Sequence, residues 1–512
     1  MKSEGDQVTI GNRHYTLGKK IGGGQEGTVF EISDTTSNID PTQFVIKLIN
    51  DTRLSVDQKL ITIKRIETLV RLGKEKDELR RIMAMPKASV KSDIGYVMRK
   101  AIDYESLNNY LELPEGASPE PWYNTEYTLK KRLQIIVGMF EALRTIHLSG
   151  LIFTDLSPNN ILVHKTKNSV VFIDTDNLRE KSDCHLSVLG TPGYMAPEIY
   201  RENVPSEING EKIDSDILSK TGRISVDSDI FSAAIIAFKL LVLHHPFVGD
   251  VISQGTAEDE ERAEKIQTDY IFKEGTDNYS TEDLCTRFEE LTTPEIRKLF
   301  MRTFTDGVKN PLLRPTDIEF VNAFKTALDY TVTCPDCGYT QLYNVGKENL
   351  CINCDRPIPK QMFLFTYSMF INDRSSLAEG INSICPDPYL DIDDENLRDL
   401  KGKPHDNLME LSRVLLDRGN VKTLYQRHFE IEDPSSADQA YVQIEMSKTS
   451  DKIIVRNILK SKFDSAYTKN MKTDSVKKIK SDTELDSNHY VVFMERPHGK
   501  GTEVICSVIR EC

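Results

Sequence analysis

A glycine-rich run, IGGGQEGTVF, occupies residues 21–30, and a second β-type run, FVIKLI, follows at residues 44–49. Gly22, Gly24 and Gly27 give the spacing G-x-G-x-x-G, which lets a backbone approach phosphate groups without a Cβ in the way. A dinucleotide-binding fold would continue with a helix, whereas this chain continues with a strand. The order therefore predicts an antiparallel hairpin over a phosphate, with an ordinary glycine-rich turn as the alternative.

Lys47 lies at the centre of the second run. Because an ammonium group inside an apolar strand is costly unless it is paired, we expect this side chain to meet a phosphate and a carboxylate. Apolar residues recur at helical spacing from Leu54 to Met83, including Leu60, Ile63, Ile66, Leu69, Val70, Leu72 and Leu79. Glu67 in this region is the predicted partner of Lys47, with Glu75 and Glu78 as alternatives.

Three oxygen-bearing side chains follow in two later segments. Asp155 and Asn160 lie in LIFTDLSPNNILV, between a helical pattern and a β-type run, and Asp174 ends the apolar run VVFID. Carboxylate and amide oxygens are ligands that magnesium prefers, and a further carboxylate can orient an attacking hydroxyl. Each residue alone is equally compatible with a turn, so the hypothesis depends on all three.

A fourth segment, GTPGYMAPE at residues 190–198, completes a set of motifs that resembles the eukaryotic-like protein kinases. The resemblance extends over about residues 12–328 and rests on five motifs in the family's order. It implies an α+β fold of two lobes that transfers the γ-phosphoryl group of ATP to Ser or Thr hydroxyls of protein substrates. Residues 12–101 would form the small lobe and residues 102–330 the large lobe.

The resemblance also implies a role for each matching residue. The ATP-binding positions would be Ile21, Gly22, Gly24, Gly27, Val29, Lys47 and Glu67. Asp155 would be the catalytic base, and Asn160 and Asp174 would hold Mg²⁺. The structural positions would be Glu198, Asp229 and Arg314, with Arg314 pairing Glu198 and Asp229 bracing the catalytic loop.

Several positions depart from the family pattern. Phe153 and Thr154 replace the usual His-Arg, which removes the arginine that captures a phosphate on the activation segment. Ser157 replaces a lysine that would steady the transferred group, and Thr175 replaces the aromatic residue after the metal-binding Asp. Similar departures occur in divergent bacterial kinases with a helical hairpin in the small lobe. They leave open a catalytically weak pseudokinase that recruits partners, while the peptide-platform segment GTPGYMAPE argues against a small-molecule kinase.

Four cysteines form two Cys-x-x-Cys pairs, Cys334 with Cys337 and Cys351 with Cys354, separated by thirteen residues. This spacing resembles a zinc ribbon at residues 331–360, in which four thiolates close a structural Zn²⁺ shell without an open catalytic position. Redox or free thiols are the alternative. His147, by contrast, is a lone histidine in an amphipathic helix and is expected only to pack.

Short β-type runs separated by polar stretches continue from residue 363 to residue 512. They predict a β-rich domain that binds a phosphoprotein or another protein, with a forkhead-associated-like sandwich as one form. The chain of 512 residues is long enough for roughly three domains. Its net charge of −14 disfavours nucleic acid. We also expect no membrane segment, because the apolar run Ala233–Leu243 is too short and reads as a buried helix, and we expect a cytoplasmic location.

Overall fold

The structure, a computed structural model, divides into two compact units. One is formed by Met1–Trp122 and Lys131–Phe324, and the other by Tyr123–Lys130 and Lys325–Cys512. The described residues are 2–24, 27–33, 40–52, 54–111, 127–175, 178–181, 190–199, 207–208, 211–212, 224–267, 269–278, 280–345, 347–359, 361–371, 408–416, 421–425, 428, 440–446, 452–456, 465–470, 476–478, 483–486, 490–498 and 501–511. Most of the segment between Glu198 and Asp229 therefore lies outside them.

The first unit begins with a six-stranded antiparallel sheet in the order β1-β2-β3-β4-β6-β5. Its strands are β1 Gln7–Ile10, β2 Arg13–Gly23, β3 Gly27–Ile32, β4 Phe44–Ile49, β5 Ala88–Ser89 and β6 Gly95–Arg99. Alternate side chains of these strands, such as Leu17, Phe30 and Ile46, form an apolar core. The predicted hairpin of β2 and β3 is confirmed.

Two helices follow β4, namely α1 Val56–Glu75 and α2 Asp77–Ile82. A capping box between Ser55 and Gln58 starts α1, and the chain leaves helical geometry at Lys76. The helical pattern from Leu54 to Met83 is thus confirmed as two helices with a break. The buried face of α1 differs from the expected one, since Leu60 and Ile63 are exposed. Ile66 and Leu69 are buried, and Ile66 packs in a core cluster with residues of the sheet.

Helices dominate the rest of this unit. They are α3 Leu129–Leu148, α4 Val226–Val242, α5 Asp250–Ser253, α6 Ala257–Ile266, α7 Glu282–Leu291, α8 Pro294–Phe304, α9 Asp306–Lys309 and α10 Asp317–Asp329. Residues 129–130 of α3 and 325–329 of α10 belong to the second unit. As expected for a central helix, α4 is buried along nearly its whole length, and Phe238 packs against a cluster of aromatic rings from later helices. None of the helices in the described part of the chain has the length and apolar character needed to cross a lipid bilayer.

Short strands before and after α3 carry the loops of interest. These strands are β7 Tyr104–Ser106, β8 Leu151–Ile152, β9 Ile161–His164, β10 Val170–Phe172 and β11 Arg179–Glu180. They pair antiparallel in the orders β10-β9-β7 and β11-β8. Two antiparallel strands of two residues each, β12 Glu207–Ile208 and β13 Glu211–Lys212, lie between β11 and α4 in the chain.

The second unit contains the cysteine segment and the β-rich tail. The cysteine segment has one small ladder, β14 Thr331–Thr333 with β15 Thr340–Leu342. The tail strands are β16 Met362–Ile371, β17 Leu408–Leu416, β18 Val421–Tyr425, β19 Ala440–Met446, β20 Lys452–Arg456, β21 Ser465–Asn470, β22 Val476–Lys478, β23 Thr483–Asp486, β24 Tyr490–His498 and β25 Gly501–Glu511. They form a six-stranded sheet, β17-β16-β25-β24-β21-β22, and a four-stranded sheet, β18-β19-β20-β23.

Candidate active site

The glycine-rich segment forms the connection between β2 and β3. The amide of Gly24 donates to the carbonyl of Gly27 at 3.0 Å and closes the turn. A Cβ at Gly27 would lie 2.6 Å from the carbonyl oxygen of Leu48, whereas a Cβ at Gly24 would meet nothing within 4 Å. Gly27 is therefore needed for close strand packing, and Gly24 leaves open space for a ligand. Gly22 faces Val29 across the ladder, and Ile21 is partly exposed just before it.

Lys47 is buried in β4 and is paired across the sheet with Val29. Its Nζ lies 3.1 Å from Oδ1 of Asp174, so the predicted ammonium–carboxylate contact is made with the metal-binding candidate. The structure thereby brings the strand lysine and the end of β10 together at one point. A phosphate bound there would contact both a cation and a group able to hold a metal.

The expected pair between Lys47 and Glu67 is absent from the described residues, and this prediction is wrong for the conformation seen. Glu67 is exposed, because the buried face of α1 runs through Ile66, Leu69 and Gly73 and directs Glu67 away from that face. Glu75 and Glu78, the alternatives, are exposed as well. The apolar pattern of the sequence placed Glu67 on a helix, as the structure does, but the side of the helix that faces the sheet is set by tertiary packing.

Asp155 is held from two sides. Thr191 Oγ1 donates to Asp155 Oδ1 at 2.9 Å, and Asn160 Nδ2 donates to Asp155 Oδ2 at 3.1 Å. Asn160 also donates to the Asp155 carbonyl at 2.9 Å, and its own carbonyl accepts from Ile173 at 2.9 Å. The structure thus links Asp155, Asn160 and the segment before Asp174 through hydrogen bonds.

Thr154, which precedes Asp155, and Asp174 itself adopt left-handed backbone conformations. The φ angle is 64° at Thr154 and 57° at Asp174. Such angles are uncommon for non-glycine residues, above all for a β-branched one, and persist only where surrounding contacts enforce them. At Thr154 that contact is Asp229, whose carboxylate accepts from the amides of Phe153 and Thr154 at 2.7 and 3.1 Å. The structure therefore places Asp229 where it braces the loop that carries Asp155.

Glu198 and Arg314 form a bidentate ion pair in the interior. Arg314 Nη1 and Nη2 donate to the two carboxylate oxygens of Glu198 at 2.6 and 2.7 Å, and both residues are buried. Arg314 also donates to the carbonyls of Gly307 and Asp227, both at 2.9 Å, and its guanidinium lies over the ring of Phe231. The end of the activation segment is fixed to the helical core by these contacts.

The departures from the family pattern have defined surroundings. Phe153 is fully buried and packs edge-on against Phe172, with 5.1 Å between ring centroids. Thr175 is also buried, and its hydroxyl donates to the carbonyl of Ala84 at 3.4 Å. The hydroxyl of Ser157 is buried without a hydrogen-bond partner among the described residues. At the positions that depart from the family pattern, Phe153 thus makes an apolar contact with Phe172, and Thr175 makes a polar contact with Ala84.

Two further residues belong to this site although sequence reasoning gave them no role. Thr191 contacts Asp155 as described above, and its only signal was its place in GTPGYMAPE. His245 is buried, and its Nε2 lies 2.9 Å from the carbonyl oxygen of Gly193. Burial lowers the pKa of His245 to about 3, so the ring is neutral and Nε2–H donates to Gly193. No local pattern around His245 indicated this contact.

The four cysteines of the second unit converge as the spacing predicts. Their Sγ atoms lie within 4.8 Å of one another, with 3.8 Å between Cys334 and Cys354 and 3.5 Å between Cys337 and Cys351. A tetrahedral Zn²⁺ with Zn–S bonds of about 2.3 Å needs sulfurs roughly 3.8 Å apart, so the cluster fits zinc. Burial raises the pKa of Cys351 to about 12. Four thiolates at this spacing need a cation to coexist.

Comparison with known proteins agrees with this geometry. The family described as "Protein kinase domain" matches residues 15–316, which is more than half of the chain. The chain belongs to the protein kinase domain family. The cluster of four cysteines follows this kinase domain in the sequence.

Individual relatives are distant. The kinase is 25% identical over 164 residues to the probable serine/threonine-protein kinase SCO3848 of Streptomyces coelicolor, covering 31% of this chain and 20% of that protein. It is 28% identical to PknB of Mycolicibacterium smegmatis, covering 31% of this chain and 21% of that protein. It is 24% identical to the dual specificity protein kinase TTK of Mus musculus, covering 47% of this chain and 25% of that protein. The matches therefore span a quarter or less of these relatives.

Proposed function

We propose that this protein kinase transfers the γ-phosphoryl group of ATP to Ser or Thr hydroxyls of proteins, with Asp155 as the catalytic base. The observation that carries the proposal is the double support of the Asp155 carboxylate, by Thr191 on one oxygen and by Asn160 on the other. Thr191 belongs to the segment that would receive a peptide. An acceptor hydroxyl could therefore be received beside a carboxylate that is already oriented.

The residues present fit Mg²⁺ and ATP. Asp174 offers a carboxylate that is about one-third exposed, at 32%, and Asn160 donates through Nδ2, so its Oδ1 remains a suitable metal ligand. When bound, Mg²⁺ neutralises charge on the phosphates during transfer. Lys47 would hold the phosphates as a buried cation, and the turn around Gly24 would cover them. Ile21, Gly22 and Val29 would contact the nucleotide from the same hairpin.

Asp155 would act on the acceptor in the chemical step. It orients the hydroxyl and accepts its proton while the hydroxyl oxygen bonds to the γ-phosphorus and the bond to the bridging oxygen of ADP breaks. Asp229 keeps the Asp155 loop in place through the amides of Phe153 and Thr154. Ser157 supplies no cation to the transferred group, so we expect slower turnover than in kinases that have a lysine there.

The rival function is a pseudokinase that binds nucleotide and recruits partners. The lost pair between Lys47 and Glu67 and the replacement of the catalytic-loop lysine by Ser157 favour it. Against it stand Lys47, Asp155, Asn160 and Asp174, all retained and connected as described. We favour catalysis because the retained groups would touch the reacting atoms, whereas the lost ones support them.

Transfer of labelled γ-phosphate from Mg-ATP to the protein and to a generic acceptor tests this function. We expect Asp155→Asn to lower transfer by about 10² to 10⁴-fold, the usual contribution of a positioned general base, without loss of nucleotide binding. Asp174→Asn should weaken Mg-dependent binding as well. Asp277→Asn changes an exposed carboxylate and serves as the matched control. Nucleotide binding without transfer in wild type would support the pseudokinase instead.

We further propose that Cys334, Cys337, Cys351 and Cys354 hold a structural Zn²⁺ in a ribbon at residues 331–360. The sulfur distances and the absence of any fifth ligand from the described cluster support a closed shell. Residues 363–512 are proposed to bind a protein partner, as the two antiparallel sheets are compatible with a sandwich of the forkhead-associated kind. A cytoplasmic location, with thiols kept reduced, belongs to the same proposal.

A further inference from the structure

His147 has a buried environment that simple packing does not explain. The side chain is 4% exposed near the end of α3. Its Nε2 lies 3.1 Å from Asp229 Oδ2, and its Nδ1 lies 3.2 Å from Asp317 Oδ2. A neutral imidazole has a single N–H and can donate to only one carboxylate, whereas an imidazolium can donate to both. The two contacts together are therefore those of a protonated histidine.

One of the two carboxylates is the brace of the catalytic loop. Asp229 Oδ2 accepts from His147 and from the amide of Phe153, and Asp229 Oδ1 accepts from the amide of Thr154. Asp229 is 2% exposed, so these donors stand in for water. Asp155 follows Thr154 directly in the chain. The charge on His147 is thus two hydrogen bonds away from the backbone that positions the catalytic base.

The charged groups around His147 come from several elements. On α4, Asp229 contacts the ring, and Asp227 interacts with it electrostatically. Asp317 on α10 contacts the ring and also accepts from Arg144 of α3 at 3.0 Å. Beyond Asp227, the charges of Glu198 and Arg314 offset each other in their ion pair. The surroundings of the ring are net negative, with Arg144 as the cation that partly offsets Asp317.

The pKa of His147 reflects this balance. Burial alone would lower it, but the hydrogen bonds to Asp229 and Asp317 and the attraction of both carboxylates raise it above its ordinary value of 6.5. Burial would raise the pKa of Asp317, but the hydrogen bonds from His147 and Arg144 and the attraction of both cations lower it below its ordinary value. Both shifts favour a charged His147 ring beside a charged Asp317 carboxylate near neutral pH.

We propose that His147 is a positioning residue of this kinase, which as an imidazolium between Asp229 and Asp317 holds the backbone of Phe153 and Thr154 and makes the placement of Asp155 depend on pH. The catalytic consequence rests on the proposed function, while the pH-dependent brace does not. Because the folded-state pKa of His147 is raised, its stabilising effect is complete below the ordinary pKa and is lost as pH rises through the folded-state pKa.

Hydrogen–deuterium exchange of the full chain tests the brace without using enzyme activity. Amides in the peptide that contains Phe153 and Thr154 are followed across pH, with the rates corrected for intrinsic exchange. We expect protection to fall at a midpoint set by His147. Asp317→Asn removes one carboxylate and should move the midpoint about one pH unit lower, which is about tenfold in proton affinity. Arg144→Gln leaves both carboxylates and removes the opposing cation, so the midpoint should move higher.

The rate of phosphoryl transfer, measured over the same pH range, should shift in the same direction in each variant. His14→Gln, at an exposed histidine of β2, is the control and should leave the midpoint unchanged. Equal midpoints in wild type, Asp317→Asn and Arg144→Gln would overturn the proposal. Shifted exchange midpoints in a protein that transfers no phosphate would uphold the brace and count against the kinase activity alone.

Discussion

At the scale of single residues, Thr191 is the side chain through which the activation segment reaches Asp155. Its hydroxyl donates to the Asp155 carboxylate at 2.9 Å. A hydrogen bond to a charged group contributes about 1.5 to 3 kcal/mol. Thr191→Val keeps the shape without the donor, so we expect kcat/KM to fall roughly ten- to a hundredfold. Thr191→Ser should retain most of the activity, and steady-state kinetics with a generic acceptor would measure both.

An equal loss in the Ser and Val variants would contradict this role, because only the Val variant lacks the hydroxyl. Thermal unfolding of both proteins serves as the control. If Thr191→Val lowers the melting temperature enough to account for its loss of activity, the contact is structural rather than a means of orienting Asp155.

Glu67 supports a second prediction at this scale. Active protein kinases require the strand lysine to pair with a helix glutamate, yet Glu67 is exposed and Lys47 pairs with Asp174. Because an exposed side chain without a hydrogen-bond partner among the described residues adds little stability, Glu67→Gln should change the free energy of unfolding by less than about 0.5 kcal/mol. If α1 brings Glu67 to Lys47 during turnover, the same variant should lose at least about tenfold in kcat.

The matched control is Glu78→Gln, which removes another exposed glutamate from the neighbouring helix α2. Unchanged kcat in Glu67→Gln would mean that the pair of Lys47 and Asp174 suffices for turnover.

The sequence predicted a residue's role where that role depends on the local element around the residue, and not where it depends on a partner distant in the chain. Asp155, Asn160 and Asp174 end or follow local elements. Hydrogen bonds link Asn160 both to Asp155 and to Ile173, the residue before Asp174. His147 could not be recognised in this way, because its partners Asp229 and Asp317 are 82 and 170 residues distant. The partner of Lys47 was missed for a related reason, since helix rotation is set by tertiary packing.

At the scale of elements, the Glu198–Arg314 pair connects the end of the activation segment with the core around α4. Breaking a buried ion pair leaves an uncompensated charge and costs about 3 to 5 kcal/mol. We therefore expect Arg314→Met to lower the free energy of unfolding by that amount in a denaturant titration. Arg71→Gln, which breaks the exposed pair of Arg71 with Glu75, should cost no more than about 1 kcal/mol.

The double variant Arg314→Met with Glu198→Leu distinguishes the cost of leaving Glu198 as an unpaired buried charge from the cost of losing the other contacts of Arg314. It removes both charges, so it should recover part of the loss seen in Arg314→Met. No recovery would mean that the contacts of Arg314 with Gly307, Asp227 and Phe231 contribute the stability instead.

Helices with clear end signals were predicted closely. The apolar run Ala233–Leu243, expected to be a buried helix, lies almost entirely within Val226–Val242, and a capping box at Ser225 marks the start of that helix. The first helical hairpin was predicted less well, because its apolar residues are not all buried. Val56, Leu60 and Ile61 are exposed on α1, so periodicity overstated the width of the packed face.

At the scale of the whole molecule, the chain divides into two compact units, and the two proposed binding sites lie in different units. The residues proposed to bind the nucleotide lie in the first unit, and the four cysteines lie in the second. A ligand that binds only the folded form of one unit stabilises that unit by about 2.7 kcal/mol at a hundred times its Kd. Multidomain proteins commonly unfold in more than one step, so each ligand is expected to act on its own transition.

Differential scanning calorimetry of the full chain should accordingly resolve two transitions. We expect Mg-ATP to raise one of them by roughly 5 °C, given the size of the first unit. A zinc chelator should lower the other, because four thiols at their observed spacing would lose the proposed Zn²⁺ that lets them ionise together. Cys337→Ser should lower that same transition and make it insensitive to the chelator, while Cys285→Ser, outside the cluster, should not. A single transition that moves with both ligands would show that the two units unfold as one.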